Sequence, residues 1–542
     1  MRVVPGLTLI EMARQAQPDF SSRIVAAKLD GEIHDLQNDI TGVRDVEFIV
    51  LDSKTGWQVY QRSVLFLLIT AVHELYPQAE VVTQFTANKG LFCEVRQLAE
   101  DLRTGTYVQQ IEQKMRAIVA ENRPIRKEFL RREEAVQLFR AVHQEEKAAL
   151  IATLARPVVS LYRCGSFYDY LYGPMLAATG ELGKFALDFE PPGILLRLPD
   201  EETAGKIRER VPQPKLSQIL SEAKSWAKIL HCNYVMDLNR ANRDGQIGEV
   251  IRVSEALQEK RIAGIADYIA QHRGGARLVL IAGPSSSGKT SFAQRLRIQL
   301  RVNGLEPVSI SIDDYFRARE ETPRNEKGEY DFECLEAMDL KLLGEHLNTL
   351  LAGGEVEIPR YDFQSGMKRY EGNMLHLEEK DILIMEGIHA LDPAMVPDVD
   401  SSRIYRVYAS CLTSFNLDEN NCMSTSDNRL LRRMVRDNRT RGISPEGTIL
   451  RWDSVRNGEE KYIFPFQENA DVLMNTALIY EFPLLKYYAE PLLRRIPPSS
   501  AAYTEAVRLL KFLEYILPLQ PAEIAAIPPT SIMREFIGGQ TL

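Results

Sequence analysis

Between Leu278 and Leu296 the chain reads LVLIAGPSSSGKTSFAQRL: an apolar run, then glycine and serine, then an amphipathic stretch. Gly283, Pro284, Ser285, Ser286, Ser287, Gly288, Lys289 and Thr290 satisfy the pattern G-x-x-x-x-G-K-[ST] between a strand and a helix. Physical chemistry explains this composition. Glycines let consecutive backbone N–H groups turn inward as an anion nest, and the helix N-terminus adds partial positive charge. The Lys289 ammonium can reach β- and γ-phosphate oxygens, and the Thr290 hydroxyl can bind Mg²⁺. The segment is read as a triphosphate cradle.

Three later clusters bear on what such a cradle could do. SISIDDYF places Asp313 and Asp314 at the end of the next apolar strand. In an open parallel sheet that end faces the ligand crevice. A carboxylate there can accept a proton from an attacking hydroxyl or help position Mg²⁺; the alternative is a strand-end pair that caps a helix. DILIMEGIHAL ends a third apolar strand in Glu386, placed for a contact with Mg²⁺ or simply terminating the strand. NRLLRRMVRDNRTRG carries Arg429, Arg432, Arg433 and Arg436 at i, i+3, i+4, i+7, so they share one helix face. Four cations on one face require an anion opposite, and phosphate oxygens match guanidinium forks. A solvated basic helix or an RNA-binding helix is the alternative.

The elements that must position these groups follow from periodicity. RLVLIAG, PVSISI, DILIMEG and IYRVYAS are strand candidates alternating with helical stretches, so an α/β domain with a mostly parallel sheet is expected over 273–495. Upstream, residues 24–51 read as a small β-rich module with a hairpin at Asp30-Gly31. SVLFLLITAVHELYP reads as a buried helix ended by Pro77. Residues 107–153 carry long helical patterns, including a basic helix over 123–132 that is either a solvated face or a nucleic-acid patch. Residues 201–272 form a helical connector. RRIPPSSAAY breaks the pattern before YTEAVRLLKFLEYIL, a last helix, and the tail after it carries no assignment. The expected divisions are 1–60, 61–200, 201–272, 273–495 and 496–542.

The chain has 542 residues, a formal net charge of −9 and 45% hydrophobic residues. This length allows several domains of adequate core, and the mild acidity argues against coating nucleic acid by bulk charge. The six cysteines form no CxxC pair, so reduced thiols are expected and zinc is not. The N-terminus is a poor signal peptide, and Val64–Val72, the longest apolar run, falls short of the ~20 residues that span a bilayer. A cytoplasmic protein with no membrane partner is expected.

The region from about 277 to 490 resembles the uridine kinase and phosphoribulokinase branch of P-loop kinases. GPSSSGKTS, SIDDYF, YDFECLEAMD, IPRYDF, LIMEGIHAL, RLLRRMVRDNRTRG and ADVLMN carry the resemblance, in order and at matching spacing. It implies phosphoryl transfer from ATP or GTP, with Mg²⁺, to a small-molecule hydroxyl, typically the 5′-hydroxyl of uridine or cytidine. By this resemblance Asp313 is the general base, Glu386 the carboxylate near Mg²⁺, and Ser291 closes the phosphate-binding run. Glu333 falls where the family binds sugar hydroxyls, Tyr361 beside the base pocket, and Arg433, Arg436 and Arg441 at lid and substrate positions. Two positions depart: Gly366 replaces a ring-contacting histidine, and Ile443 replaces an arginine. Losing two donors relaxes or redirects acceptor choice, so another sugar or a phosphosugar stays open.

LDGEIHDLQNDITGVRDVEFIVLD resembles a degraded TGS β-grasp module. SVLFLLITAVHELYPQAEV and SLYRCGSFYDYLYGPMLAATGELGKFAL resemble the second additional domain of threonyl-tRNA synthetases, on scaffold residues such as Asp169, Gly173-Pro174 and Thr179-Gly180. The family's HxxxH and CxxxH positions here read Phe66, Thr70, Leu171 and Met175. Such side chains cannot build a water-activating metal site, so an α+β editing-like domain without editing chemistry is expected. It is kept for packing, for binding, or for regulating the kinase domain. A different class of function, an RNA- or tRNA-responsive nucleotide switch, remains alongside the kinase reading, and a homo-oligomer is expected.

Overall fold

Leu278–Ala282 is a strand buried along its whole length, and the reason is its place at the centre of a five-stranded sheet. Asp381–Glu386 and Ile404–Ser410 flank it, with Glu306–Ser311 and Val472–Asn475 at the edges. All four pairings are parallel. Strands covered on both faces read as continuous apolar runs rather than alternations, which is why LVLIA and DILIM look as they do. Parallel neighbours need crossovers, and the helix Lys289–Val302 supplies the one that leads to Glu306–Ser311. Register does the rest. Glu386 lies opposite both Ile281 and Ser311, so three strands end level and release their following loops at one edge. This computed structural model describes residues 7–98, 105–271, 276–324, 328, 330–331, 334–362, 365–413 and 415–542.

The N-terminal third is antiparallel. Ile24–Leu29 pairs with Glu32–His34 and with Val46–Val50. Asp30 (φ 46°) and Gly31 (φ 93°) make the tight turn between the first two, with Leu29 opposite Glu32. Leu9 and Met12 of the helix Leu9–Ala16 cover this sheet against Ala27, Leu29 and Val46. The helix Lys54–Leu75 is capped by Ser53 and stops one residue short of Tyr76-Pro77. Its apolar residues run all round because strands and a second helix, Thr106–Glu121, enclose it. Two further antiparallel sheets complete the region. One has the order Glu80–Ala87, Gly90–Arg96, Gly193–Arg197, Ala186–Glu190; the other joins Arg126–Arg131, Val158–Cys164 and Phe167–Asp169.

That last sheet corrects one expectation. Residues 123–132 are not a basic helix: Pro124 interrupts the pattern after Glu121, and Arg126–Arg131 is an edge strand paired with Val158–Cys164. Charged side chains are a usual guard on an unpaired strand edge, and Lys127 turns inward to Asp35 at 2.8 Å. Helix in the 107–153 stretch is confined to Thr106–Glu121, Arg132–Ala141 and Glu145–Ala152.

Phe415–Cys422 locks the two halves together. Asn416 Nδ2 donates to Thr83 O (2.6 Å), Asn420 Nδ2 donates to Val81 O (2.8 Å), and Glu419 O accepts the Thr83 amide (2.8 Å). Lys147, fully buried, is ion-paired with Asp169 and donates to Asn420 Oδ1 at 2.9 Å. The unassigned tail also has a place. It forms the short helices Pro521–Ala525 and Met533–Ile537, with Ile532, Met533 and Phe536 in the core beside helix Thr425–Thr440. Among the described residues the cysteines are free, and no helix is long and apolar enough to cross a membrane.

Candidate active site

The phosphate-loop strand ends at Ala282, and the loop that follows is packed so closely that two glycines are obligatory. A Cβ on Gly283 would lie 2.0 Å from Ala409 O. Gly288 caps the next helix at φ 81°, where a Cβ would also meet Ile532 Cγ2 at 2.6 Å. Pro284, Ser286 and Ser287 are buried, Ser285 is half-buried, and Lys289, Thr290 and Ser291 form the first turn of Lys289–Val302. No acidic residue lies in that first turn, so apart from Glu535, which meets Ser291 from the tail, its dipole faces an external anion.

Level strand ends bring the acids to this turn. Thr290 Oγ1 donates to Glu386 Oε1 and Oε2 at 3.0 and 3.1 Å. Burial raises the Glu386 pKa; Lys289 and the Thr290 hydrogen bond pull it back, while Glu535 and Asp313 push it further up. Asp313 opens onto the solvent side of the same recess. Loss of hydration raises its pKa too, opposed by the Lys289 ammonium. The Lys289 charge thus acts on two carboxyl groups, one ending the strand Asp381–Glu386 and one in the turn after Glu306–Ser311. Asp314, by contrast, accepts the Tyr361 amide at 3.1 Å and holds the neighbouring hairpin. Tyr361 is buried against Phe316, ring centroids 5.5 Å apart. Glu333 lies outside the described residues. Gly366 is the turn of the hairpin Arg360–Asp362/Met367–Arg369 at φ 72°, where any Cβ would come within 2.7 Å of Arg319 Cβ. That turn has no room for a histidine side chain.

The arginine helix corrects a second expectation. Arg429 and Arg432 do not face a phosphate; both are fully buried against carboxylates. Arg429 is paired with Glu459 and also donates to Ser285 O at 3.1 Å. Arg432 donates to Glu481 at 2.7 Å and to Ser287 O at 3.5 Å. These two guanidiniums therefore brace the loop backbone from behind. Arg433 Nη1 reaches Ser285 Oγ at 2.7 Å, Arg436 donates to Asp437 at 2.8 Å, and Arg441 is exposed, 3.6 Å from Asp437. The anion that the shared face demanded is supplied by Glu459, Glu481 and Asp437.

Sequence reasoning missed the tail's contribution. Ser291 Oγ donates to Glu535 Oε2 at 2.6 Å and accepts from Gln540 Nε2 at 2.8 Å. Glu535 also lies 4.0 Å from the Arg436 guanidinium. Arg439 donates to the Glu535 and Phe536 carbonyls, and Arg432 stacks over the Phe536 ring at 5.0 Å. The available signal was the spacing Ile532, Met533, Phe536, Ile537, a one-sided apolar pattern too short to claim a helix.

In the N-terminal region Phe66, Thr70, Leu171 and Met175 are all buried. Phe66 packs on Phe167 at 5.6 Å, and Thr70 spends its hydroxyl on Phe66 O at 2.8 Å. Among the described residues no group of three His, Cys, Asp or Glu side chains could hold a metal.

The loop, the level strand ends and the helix after the loop have the arrangement of a P-loop domain, and residues 278–478 match the model of the Phosphoribulokinase / Uridine kinase family. The N-terminal region is similar to threonine–tRNA ligases. The similarity is 34% identity over 189 residues to that of Acidithiobacillus ferrooxidans, covering 34% of this chain and 28% of that protein. Against the enzyme of Rubrobacter xylanophilus it is 32% over 191 residues, covering 34% of this chain and 29% of that protein. The chain therefore spans less than a third of the length of these curated relatives. Among solved structures, one titled a possible uridine kinase from Bacillus stearothermophilus is 20% identical with a TM-score of 0.25, covering 39% of this chain and 97% of that one.

Proposed function

We propose that the domain over 278–478 transfers the γ-phosphoryl group of ATP to a hydroxyl of a small molecule, most directly the 5′-hydroxyl of a nucleoside such as uridine or cytidine. The observation that carries this reading is the meeting of Lys289, Thr290, Asp313 and Glu386 at the level ends of three parallel strands, below a complete phosphate loop. The family match over the same residues supports a kinase acting on a small-molecule hydroxyl.

In this reading the loop amides and Lys289 hold the donor's β- and γ-phosphates, and Asp313 takes the proton of the acceptor hydroxyl. Its raised pKa makes Asp313 a stronger base than an ordinary aspartate. Lys289, Arg433 and Arg436 face the charge that spreads over the transferring group, and such positioning carries most of the rate in this reaction class. Tyr361, Glu333 and Arg441 would contact the acceptor. Thr290 and Glu386 offer hard oxygen donors about one hydrogen bond apart, a set that fits Mg²⁺. Bound there with the nucleotide, Mg²⁺ would neutralise part of the phosphate charge. GTP is the other donor to weigh.

The test is a panel of nucleosides, sugars and phosphosugars incubated with ATP or GTP, with products identified by mass spectrometry. A nucleoside monophosphate is the expected product. A phosphorylated sugar alone would move the acceptor, and no product from any hydroxyl with nucleotide binding intact would overturn the kinase reading. RNA recognition would have to use exposed Arg126 and Arg131 on the edge strand, and salt-sensitive RNA binding by the whole chain measures it.

A further inference from the structure

A cavity of about 1160 Å³ lies between the two halves of the chain, and no residue of the phosphate loop lines it. Its walls come from the first β-sheet, from helix Lys54–Leu75, from the loop Tyr170–Pro174, and from Asp427, Trp452 and Arg508 of the C-terminal half. Its size is slightly above the usual range of small-molecule sites, ample for a nucleotide-sized molecule, and its walls carry aromatic side chains and polar groups.

Charge is distributed unevenly in this cavity. Most cations on its walls have a carboxylate of their own: Lys127 pairs with Asp35, Arg508 with Asp427, and Lys511 with Glu32, at 2.6–2.8 Å. Two do not. Among the described residues Arg62 and Arg156 make no ion pair within 4 Å, although the Glu514 charge reaches Arg156. Arg62, deep in the wall, donates one hydrogen bond, Nη1 to Pro174 O at 2.8 Å. Burial pushes its pKa down, and the Tyr162 and Tyr172 hydroxyls pull it back; the carboxylates behind them are spent, Asp35 on Lys127 and Asp427 on Arg508. Arg156, at the exposed mouth, donates only to the Tyr170 and Tyr515 hydroxyls, at 3.3 and 3.2 Å. Tyr172 lies within electrostatic reach of both guanidiniums. The half-buried Arg62 guanidinium opens onto the cavity without a carboxylate, and most donors of its fork stay unused. A protein that keeps one beside a void keeps it for an anion that arrives from outside.

We propose that this cavity is a binding site for a small organic oxyanion, held by Arg62 and Arg156 and flanked by the Tyr162, Tyr170 and Tyr172 rings. Guanidinium forks match phosphate and carboxylate oxygens alike, so the two sources are separated by experiment. The site is independent of nucleotide binding at the phosphate loop and does not rest on the kinase reading.

The experiment is calorimetric titration of the full chain with three probes: uridine 5′-monophosphate, inorganic phosphate and citrate. Each is repeated on Arg62→Gln, Arg156→Gln and Lys289→Ala. At least one probe is expected to bind saturably at one site that Lys289→Ala leaves intact. Each arginine variant should weaken that site at least tenfold. Phosphate-bearing probes alone, or citrate alone, would identify the source. Arg62→Met supplies a readout that does not depend on an intact site. Methionine fills the same half-buried volume, so the variant should melt within about 2 °C of the wild type, yet lose the rise of about 2–3 °C that free probe at a hundred times Kd gives the wild type. Absence of saturable binding for all three probes, binding that disappears with Lys289→Ala, or arginine variants that bind like the wild type would each overturn the proposal.

Discussion

Two places in this chain resemble scaffolds that position side chains for chemistry, and they are filled in opposite ways. At the ends of the parallel strands, Lys289, Asp313, Thr290 and Glu386 are polar, partly hydrated and mutually coupled. In the N-terminal region, the helix and loop that resemble a synthetase editing site present Phe66, Thr70, Leu171 and Met175, packed shut. The difference shows that the scaffold alone leaves function open and that residue type decides it. An open site keeps charges that cost stability, and a closed one is filled with core.

The largest break in that comparison comes from Asp313→Asn. Removing the proton acceptor should lower turnover by about 10²–10⁴-fold while nucleotide affinity stays nearly unchanged, as read by steady-state rates and direct nucleotide titration. The pH profile adds a sign. Activity needs the deprotonated acid, so it falls as pH drops through the raised pKa of Asp313, and the variant should lose that acid limb. A variant with wild-type turnover would remove Asp313 from the reaction. Phe66→Ala is the mirror experiment. It should cost about 3–5 kcal/mol of stability, as large-to-small changes in a packed core do. The kinase rate per folded molecule should remain within about twofold, since additive, independent sites leave one another alone. A selective loss of rate with stability intact would show that the N-terminal region acts on the chemistry.

What could be read in advance follows the same line. Continuous apolar runs gave the central strands because burial on both faces leaves no other pattern. The phosphate loop was legible because its geometry dictates glycine, lysine and threonine at fixed offsets. Partners that arrive from elsewhere in the chain were not legible. Glu459 and Glu481 meet Arg429 and Arg432 across 30 and 49 residues of sequence, and Glu535 meets Ser291 across 244. Local spacing showed that four arginines needed anions but could not say that buried carboxylates would supply them. The 123–132 segment failed for a related reason: Arg and Lys guard strand edges as readily as they coat helices, and only the pairing with Val158–Cys164 tells the two apart.

The seam between the two regions has its own titration. Glu419 is buried where Phe415–Cys422 meets the strand Glu80–Ala87, and burial with the adjacent Asp418 charge pushes its pKa from 4.5 up to about 7. The folded chain therefore keeps a proton that the unfolded chain has already released. This contribution is fully present below pH 4.5 and is lost as pH rises to about 7. Glu419→Gln should flatten that slope and stabilise the chain above pH 7 by about 1–3 kcal/mol, read from melting temperatures across the range. A variant as pH-dependent as the wild type would place the titration elsewhere. Melting of the two halves at separate temperatures would show that the seam does not couple them.

Glu535 sharpens the comparison most finely, because it is a carboxylate placed where phosphates are wanted. It accepts from Ser291 in the first turn of the phosphate-loop helix, faces Arg436, and raises the pKa of Glu386 by its charge. Ile532, Met533 and Phe536 anchor it in the core, so it does not simply swing away. A bare nucleotide, several times negative, meets this fixed charge, whereas its Mg²⁺ complex carries less net charge into the same space. Glu535→Gln keeps the hydrogen bond to Ser291 and removes only the charge. Affinity for ATP in EDTA should then rise about tenfold more than affinity for MgATP, the scale expected for one charge a few ångströms away at intermediate dielectric. Fluorescence titration under both conditions reads it. An equal change in the two would mean that the carboxylate is screened from the phosphates and serves only to seat Arg436. In that case the open site would share one habit with the closed one: a charge position given over to packing.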